Sequence, residues 1–185
     1  MPIQQQFKIL FLGAILLGNL SAASARPWKP TAMQLAGDYA TISHSRSNTE
    51  NVQIRWWAPP TAMPGTPFAE MLEKYVVISI VHFHINPPGG TMSFDSIDTL
   101  EARDSTDQPL RLLPRSELPP ITIGILSAVE AGFRQSIGRL GEGTKFFVFG
   151  AGAVHACEKG ILSVPYASET YTWETPFPGC PAGSP

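Results

Sequence analysis

His82-Phe83-His84 is the pattern in this sequence best suited to chemistry. In an extended strand, residues i and i+2 face the same side, about 7 Å apart. Two imidazoles so placed can converge on one ion, and Zn(II) or Cu(II) matches nitrogen donors of this kind. The chain holds 4 histidines, so His44 or His155 is a candidate third ligand, with Asp and Glu carboxylates also in supply. The plainer alternative is a structural pair, partly exposed at a strand end.

A second candidate is aromatic. Trp57, Tyr171 and Trp173 could stack on a sugar ring or anchor a protein partner, because such rings carry a large apolar face and a polar tip. The competing use of these rings is to fill a core. Asp95, Asp98, Glu101, Asp104 and Asp107 recur at every third position. That spacing lacks the alternating acids and central glycine of an EF-hand loop, and it reads as a solvated face. There is no Gly-x-Ser-x-Gly elbow and no His-Glu-x-x-His, so no catalytic residue is assigned. Gly150-Ala151-Gly152 lacks the third glycine and the helix that a dinucleotide site requires.

Cys157 and Cys180 are the only cysteines, and an even count in an exported chain predicts a disulfide. Export itself is read from the N-terminus. Lys8 precedes the apolar run Ile9 to Leu20, and Ala23-Ser24-Ala25 offers small residues for cleavage. A membrane-spanning helix needs about 20 apolar residues, so the run is a signal peptide's length. Residues 1–25 are therefore expected to be removed, leaving residues 26–185 as one globular domain, periplasmic or secreted, with no membrane span after cleavage. Removing Lys8 from 13 basic residues against 15 acidic leaves a net charge near −3. With no basic cluster, nucleic-acid binding is excluded as an expectation.

The elements that must position these residues are marked by prolines. Pro59-Pro60 and Pro87-Pro88 end strands, and Pro119-Pro120 opens a helix, since proline lacks an N–H and restrains its predecessor to extended geometry. Asn51–Trp57 and Tyr75–Ile85 read as strands. The second is rich in β-branched residues and apolar on both faces, as a covered central strand is. Thr66-Pro67 starts a short helix over about 67–74. A long amphipathic helix over about 120–140 carries Ile121, Ile125, Val129, Phe133, Ile137 and Leu140 along one stripe. Thr99–Arg103 with Leu110–Leu113, and Val154–Cys157 with Ile161–Tyr166, read as hairpins, and Glu169–Glu174 as the last strand. Short links between strands imply antiparallel pairing. The expected fold class is α+β, antiparallel-β-rich and sandwich-like, with the long helix packed against the sheet.

The leading functional expectation is an exported, non-enzymatic domain with a binding or structural role in the envelope or secreted fraction. Its partner would be a protein or a glycan, with no resident cofactor. The alternative is a Zn- or Cu-binding protein built on His82 and His84, and the third is a hydrolase whose site is dispersed in sequence.

Overall fold

The computed structural model describes residues 40–46, 50–86 and 89–180. The expected signal peptide lies outside these residues. Ala40–Arg46 (β1) and Glu50–Trp57 (β2) pair antiparallel, and β2 pairs antiparallel with Tyr75–Asn86 (β3). Between them Pro67–Leu72 forms α1, whose Thr66 hydroxyl accepts the Ala69 N–H at 3.2 Å. This N-cap satisfies one of the helix's orphan donors, and Pro67 wastes none in the first turn.

The free edge of β3 is shared by two short strands. Lys145–Gly150 (β5) pairs with its first half and Thr91–Phe94 (β4) with its second, both antiparallel. Between β4 and β5 run Pro120–Ser136 (α2) and Leu140–Gly143 (α3). Gly160–Tyr166 (β6) and Glu169–Thr175 (β7) form a separate two-stranded sheet.

The two faces of β3 bury different partners. Val76, Ile78 and Ile80 pack with Trp57, Phe147 and Phe149, and against Leu162, Val164 and Trp173 of the β6–β7 hairpin. Val77, on the other face, joins Val148, Leu126 of α2 and Phe68, Met71 and Leu72 of α1. Each fully buried large apolar side chain contributes roughly 1.5–3 kcal/mol, so β3 is the shared wall of two cores. The α+β, antiparallel expectation is met. The expected sandwich is not established: the second sheet is a single hairpin, whose Leu162, Val164 and Trp173 join the first core.

Three sequence expectations are corrected. Val154–Cys157 is not a strand. β6 turns instead at Ala167-Ser168, both with positive φ (48° and 69°), and takes β7 as its partner. That two-residue turn has the twist hairpins favour, and it leaves residues 154–157 without a strand to pair. Thr99–Arg103 and Leu110–Leu113 form isolated bridges rather than strands, Arg103 to Pro109 and Ser163, and Leu112 to Phe149. They keep a short hairpin contact, with Leu110 N–H donating to the Ala102 carbonyl at 2.8 Å, and also sew β6 to β5: Arg103 and Ser163 exchange bonds of 2.8 and 2.9 Å, and Leu113 N–H donates to Val148 at 2.8 Å. Of the stripe expected on the long helix, Ile125 and Val129 pack on the second core and Phe133 meets Trp56 and Phe146, but the most buried positions lie beside it. Thr122, Leu126 and Glu130 are buried, whereas Ile121 is 73% exposed. Leu126 fills the second core and Glu130 pairs with Arg115, so a packing residue and an ion pair widen the buried seam beyond the expected stripe.

The expected Cys157–Cys180 disulfide is present, with Cα atoms 5.3 Å apart. No helix among the described residues is long and apolar enough to cross a membrane.

Candidate metal centre

The inner face of β2 and β3 grades from apolar to polar along the strands. Trp57 stands opposite Ile78, Arg55 opposite Ile80, Gln53 opposite His82 and Asn51 opposite His84. Alternation puts His82 and His84 on one face, as expected from their spacing, with ring centroids 5.1 Å apart. His82 is buried, 7% exposed, and His84 half-buried.

The residue that completes the group is Asp95, just past β4. The β3–β4 turn includes Gly90 at φ 62°, whose N–H donates to the Asn86 carbonyl at 3.1 Å. The register then sets Phe94 opposite Phe83, and the Asp95 N–H bonds the His82 carbonyl at 3.0 Å. Gly143 of α3 packs on the Phe94 ring so closely that a Cβ there would lie 2.1 Å from Phe94 Cδ1. Thus the helix end fixes the residue beside Asp95. The Asp95 carboxylate reaches His82 Nδ1 at 2.8 Å and His84 Nε2 at 3.1 Å. Ligand atoms of His82, His84 and Asp95 all lie within 4.8 Å of one another.

Hydrogen bonding orients the buried imidazole. Asn51 Oδ1 accepts from His82 Nε2 at 2.7 Å, and Tyr166 Oη lies 3.2 Å from His82 Nδ1. With the ring proton on Nε2, the Nδ1 lone pair meets a carboxylate oxygen at 2.8 Å. In that tautomer the two acceptors would be reconciled by a cation between them, either a proton or a metal ion, whereas the other tautomer lets Nδ1–H donate to the carboxylate. Burial holds the His82 pKa below its ordinary value, outweighing the opposite pull of Asp95, so the proton is the disfavoured occupant.

This depression has a sign that can be checked. The unfolded chain takes up its proton near pH 6.5, and folded His82 takes it up only at lower pH. The histidine's contribution is therefore fully present above about pH 6.5 and is lost as pH falls below it. Melting temperatures of chelator-treated protein should fall between about pH 7 and pH 5, and His82→Gln should flatten that slope. An unchanged slope in the variant would refute it.

No family model, curated protein or solved structure matches this chain.

The centre's chemistry is legible from its own donors. Two imidazole nitrogens and one carboxylate form a three-donor set that Zn(II), Cu(II) or another divalent transition metal accepts. The Asn51 bond to His82 Nε2 supplies the outer contact that fixes a ligating histidine's tautomer. The group holds neither of the expected third ligands among the described side chains. His44 stands opposite Val52, in the row of Phe83 and not that of His82, and His155 is exposed in the turn before Cys157, outside the group.

The aromatic residues lie elsewhere than a binding platform would require. Trp57 and Trp173 are 3% and 4% exposed and meet edge to face at 6.2 Å, so they belong to the core. Tyr171 is half-buried, with the Arg55 guanidinium 3.6 Å above its ring.

Four residues of this face went unmarked in sequence. Asp95 sits in a row of acids that reads as solvated. Asn51 lies directly opposite His84, but only the strand register brings it to His82. Tyr166 and Arg55 meet the site through a hairpin distant in sequence.

Proposed function

We propose that this chain is an exported protein that binds one divalent transition-metal ion, Zn(II) or Cu(II), through His82, His84 and Asp95. The observation that carries the reading is the convergence of His82 Nδ1 and the Asp95 carboxylate at 2.8 Å, while His82 Nε2 is committed to Asn51. A metal ion satisfies both lone pairs without charging a buried imidazole. This merges a binding role with the metal alternative read from the sequence, and it replaces the expectation of no cofactor.

Metal titration of chelator-stripped protein tests it. About one ion per chain is expected, with stoichiometric binding abolished by His84→Ala and by Asp95→Asn. Binding should also fade below about pH 6, because protonated imidazole cannot ligate. Substoichiometric metal, or an Asp95→Asn variant that binds as the wild type does, would return the group to a structural pair.

Export rests on the signal-like N-terminus and agrees with a disulfide, which oxidising compartments preserve. N-terminal sequencing of exported material should begin at Arg26. Protein that retains Met1 would remove the export half of the proposal and leave the metal half standing.

A further inference from the structure

We infer that Tyr166 is the fourth protein ligand of this centre and that it selects Cu(II) over Zn(II). The inference rests on the metal reading above and adds a donor and the identity of the ion.

Spacing is the first ground. Donors bound at about 2.0–2.1 Å are separated by about 2.9 Å when they subtend a right angle, and by about 3.4 Å at the tetrahedral angle. Around the Asp95 and His82 donors the separations are 2.8 Å to His82 Nδ1, 3.1 Å from Asp95 to His84 Nε2, and 3.2 Å from Nδ1 to Tyr166 Oη. Tyr166 thus stands at ligand spacing from His82, and the three separations span the range from the right angle to the tetrahedral angle. The ground for Cu(II) is the donor set, two imidazoles, a carboxylate and a phenol oxygen with no thiolate, which is a nitrogen and oxygen set of the kind Cu(II) takes.

Tyr166 is also held in place for the task. It ends β6, and the Ala167-Ser168 turn with positive φ fixes its backbone. Its carbonyl accepts from Arg55 Nη2 at 3.3 Å. Its ring meets His82 edge-on at 89°, centroids 5.7 Å apart.

Arg55 is the charge that a phenolate at this position would face. Arg55 is fully buried, and its Nε and Nη1 have no hydrogen-bond partner. Its guanidinium lies over both tyrosine rings, 3.6 Å from the Tyr171 centroid and 5.5 Å from that of Tyr166. Its Nη2 donates to Gln53 Oε1 at 2.6 Å and the Glu169 charge also acts on it, yet burial still lowers its pKa, so a further negative charge nearby would be favoured. Burial and the Asp95 charge raise the Tyr166 pKa, against the pull of Arg55, so the phenol is neutral in the metal-free protein; only a divalent ion held at the Oη would displace its proton to solvent and leave a phenolate facing the guanidinium. Two imidazoles, the Asp95 carboxylate and the phenolate then form a neutral complex with Cu(II).

The experiment is a Cu(II) titration of chelator-stripped protein followed by visible absorption. Wild type should take one equivalent and develop a phenolate-to-Cu(II) charge-transfer band. Tyr166→Phe should keep one equivalent, lose the band and bind Cu(II) at least as weakly as the roughly 10–100-fold cost of losing an outer-shell partner. Its loss of Zn(II) affinity should be smaller. Tyr171→Phe should retain the band. Should Tyr166→Phe fail to fold, resonance Raman of the wild-type complex, excited in the band, should show tyrosinate modes. One equivalent of Cu(II) without such a band, a band that survives Tyr166→Phe, or equal losses for both ions would overturn this inference and leave the metal centre intact. Absence of stoichiometric metal in the wild type would overturn both.

Discussion

Replacing Cys157 or Cys180 with serine is expected to lower stability by about 3–4 kcal/mol, the chain-entropy cost of a loop of this length. The half-cystines are 23 residues apart, and the segment they enclose contains the whole of β6 and β7. A two-stranded hairpin is marginal by itself, so this one depends on its base and its inner face. The bridge ties the base, where the Phe177 N–H also donates to the Ala156 carbonyl at 2.9 Å. Phe177 packs on Trp57 at 4.7 Å. For a domain of this size the loss corresponds to a fall in melting temperature of about 10 °C. Reduction of the wild type should reproduce the shift, and a change of less than about 2 °C would show that the hairpin holds without its staple.

Phe149→Ala should cost about 3–5 kcal/mol, the range for emptying a buried aromatic site. Phe149 is fully buried, pairs with Val76 across the β3–β5 ladder and bridges to Leu112. It lies where the central sheet, the connecting segment and the hairpin layer meet, so neighbouring chains are pinned by their own hydrogen bonds and cannot collapse into the cavity. With total stabilities of about 5–15 kcal/mol, this one change removes a large fraction. Urea unfolding with an unchanged slope and a lowered midpoint is the expected signature. A loss below about 1 kcal/mol would mean that the site relaxes.

The legible parts of the fold were those whose signal is local. β2, β3, β5, β6 and β7 followed from β-branched alternation and proline boundaries, and α1 from Thr66-Pro67. The two cysteines announced their bridge, and alternation alone placed His82 and His84 together. What escaped was set by distant partners. The centre of α2's buried seam could not be read from Ile121, which is exposed, because Leu126 against the core and Arg115 reaching Glu130 set it beside the Ile125 and Val129 row. Residues 154–157 have strand composition but lose their partner to β7. Asp95 has the composition of a solvated acid, and only the β3–β4 register turns it toward two imidazoles. Tyr166 has no sequence neighbour in the site at all.

The division of β3's edge between β4 and β5 sets an order of assembly. His84 and Asp95 are 11 residues apart, whereas His82 and Tyr166 are 84 apart. That is nearly three doublings of loop length, so the second closure costs about 2 kcal/mol more than the first. The β2–β3–β4 meander needs only neighbouring segments, and it carries all three donors of the first set. Along a chain synthesised from its N-terminus, these donors are complete before α2, β5 and the closing hairpin exist. An ion captured at that stage would tie the meander together early, and the arrival of Tyr166 would then be the last act of folding.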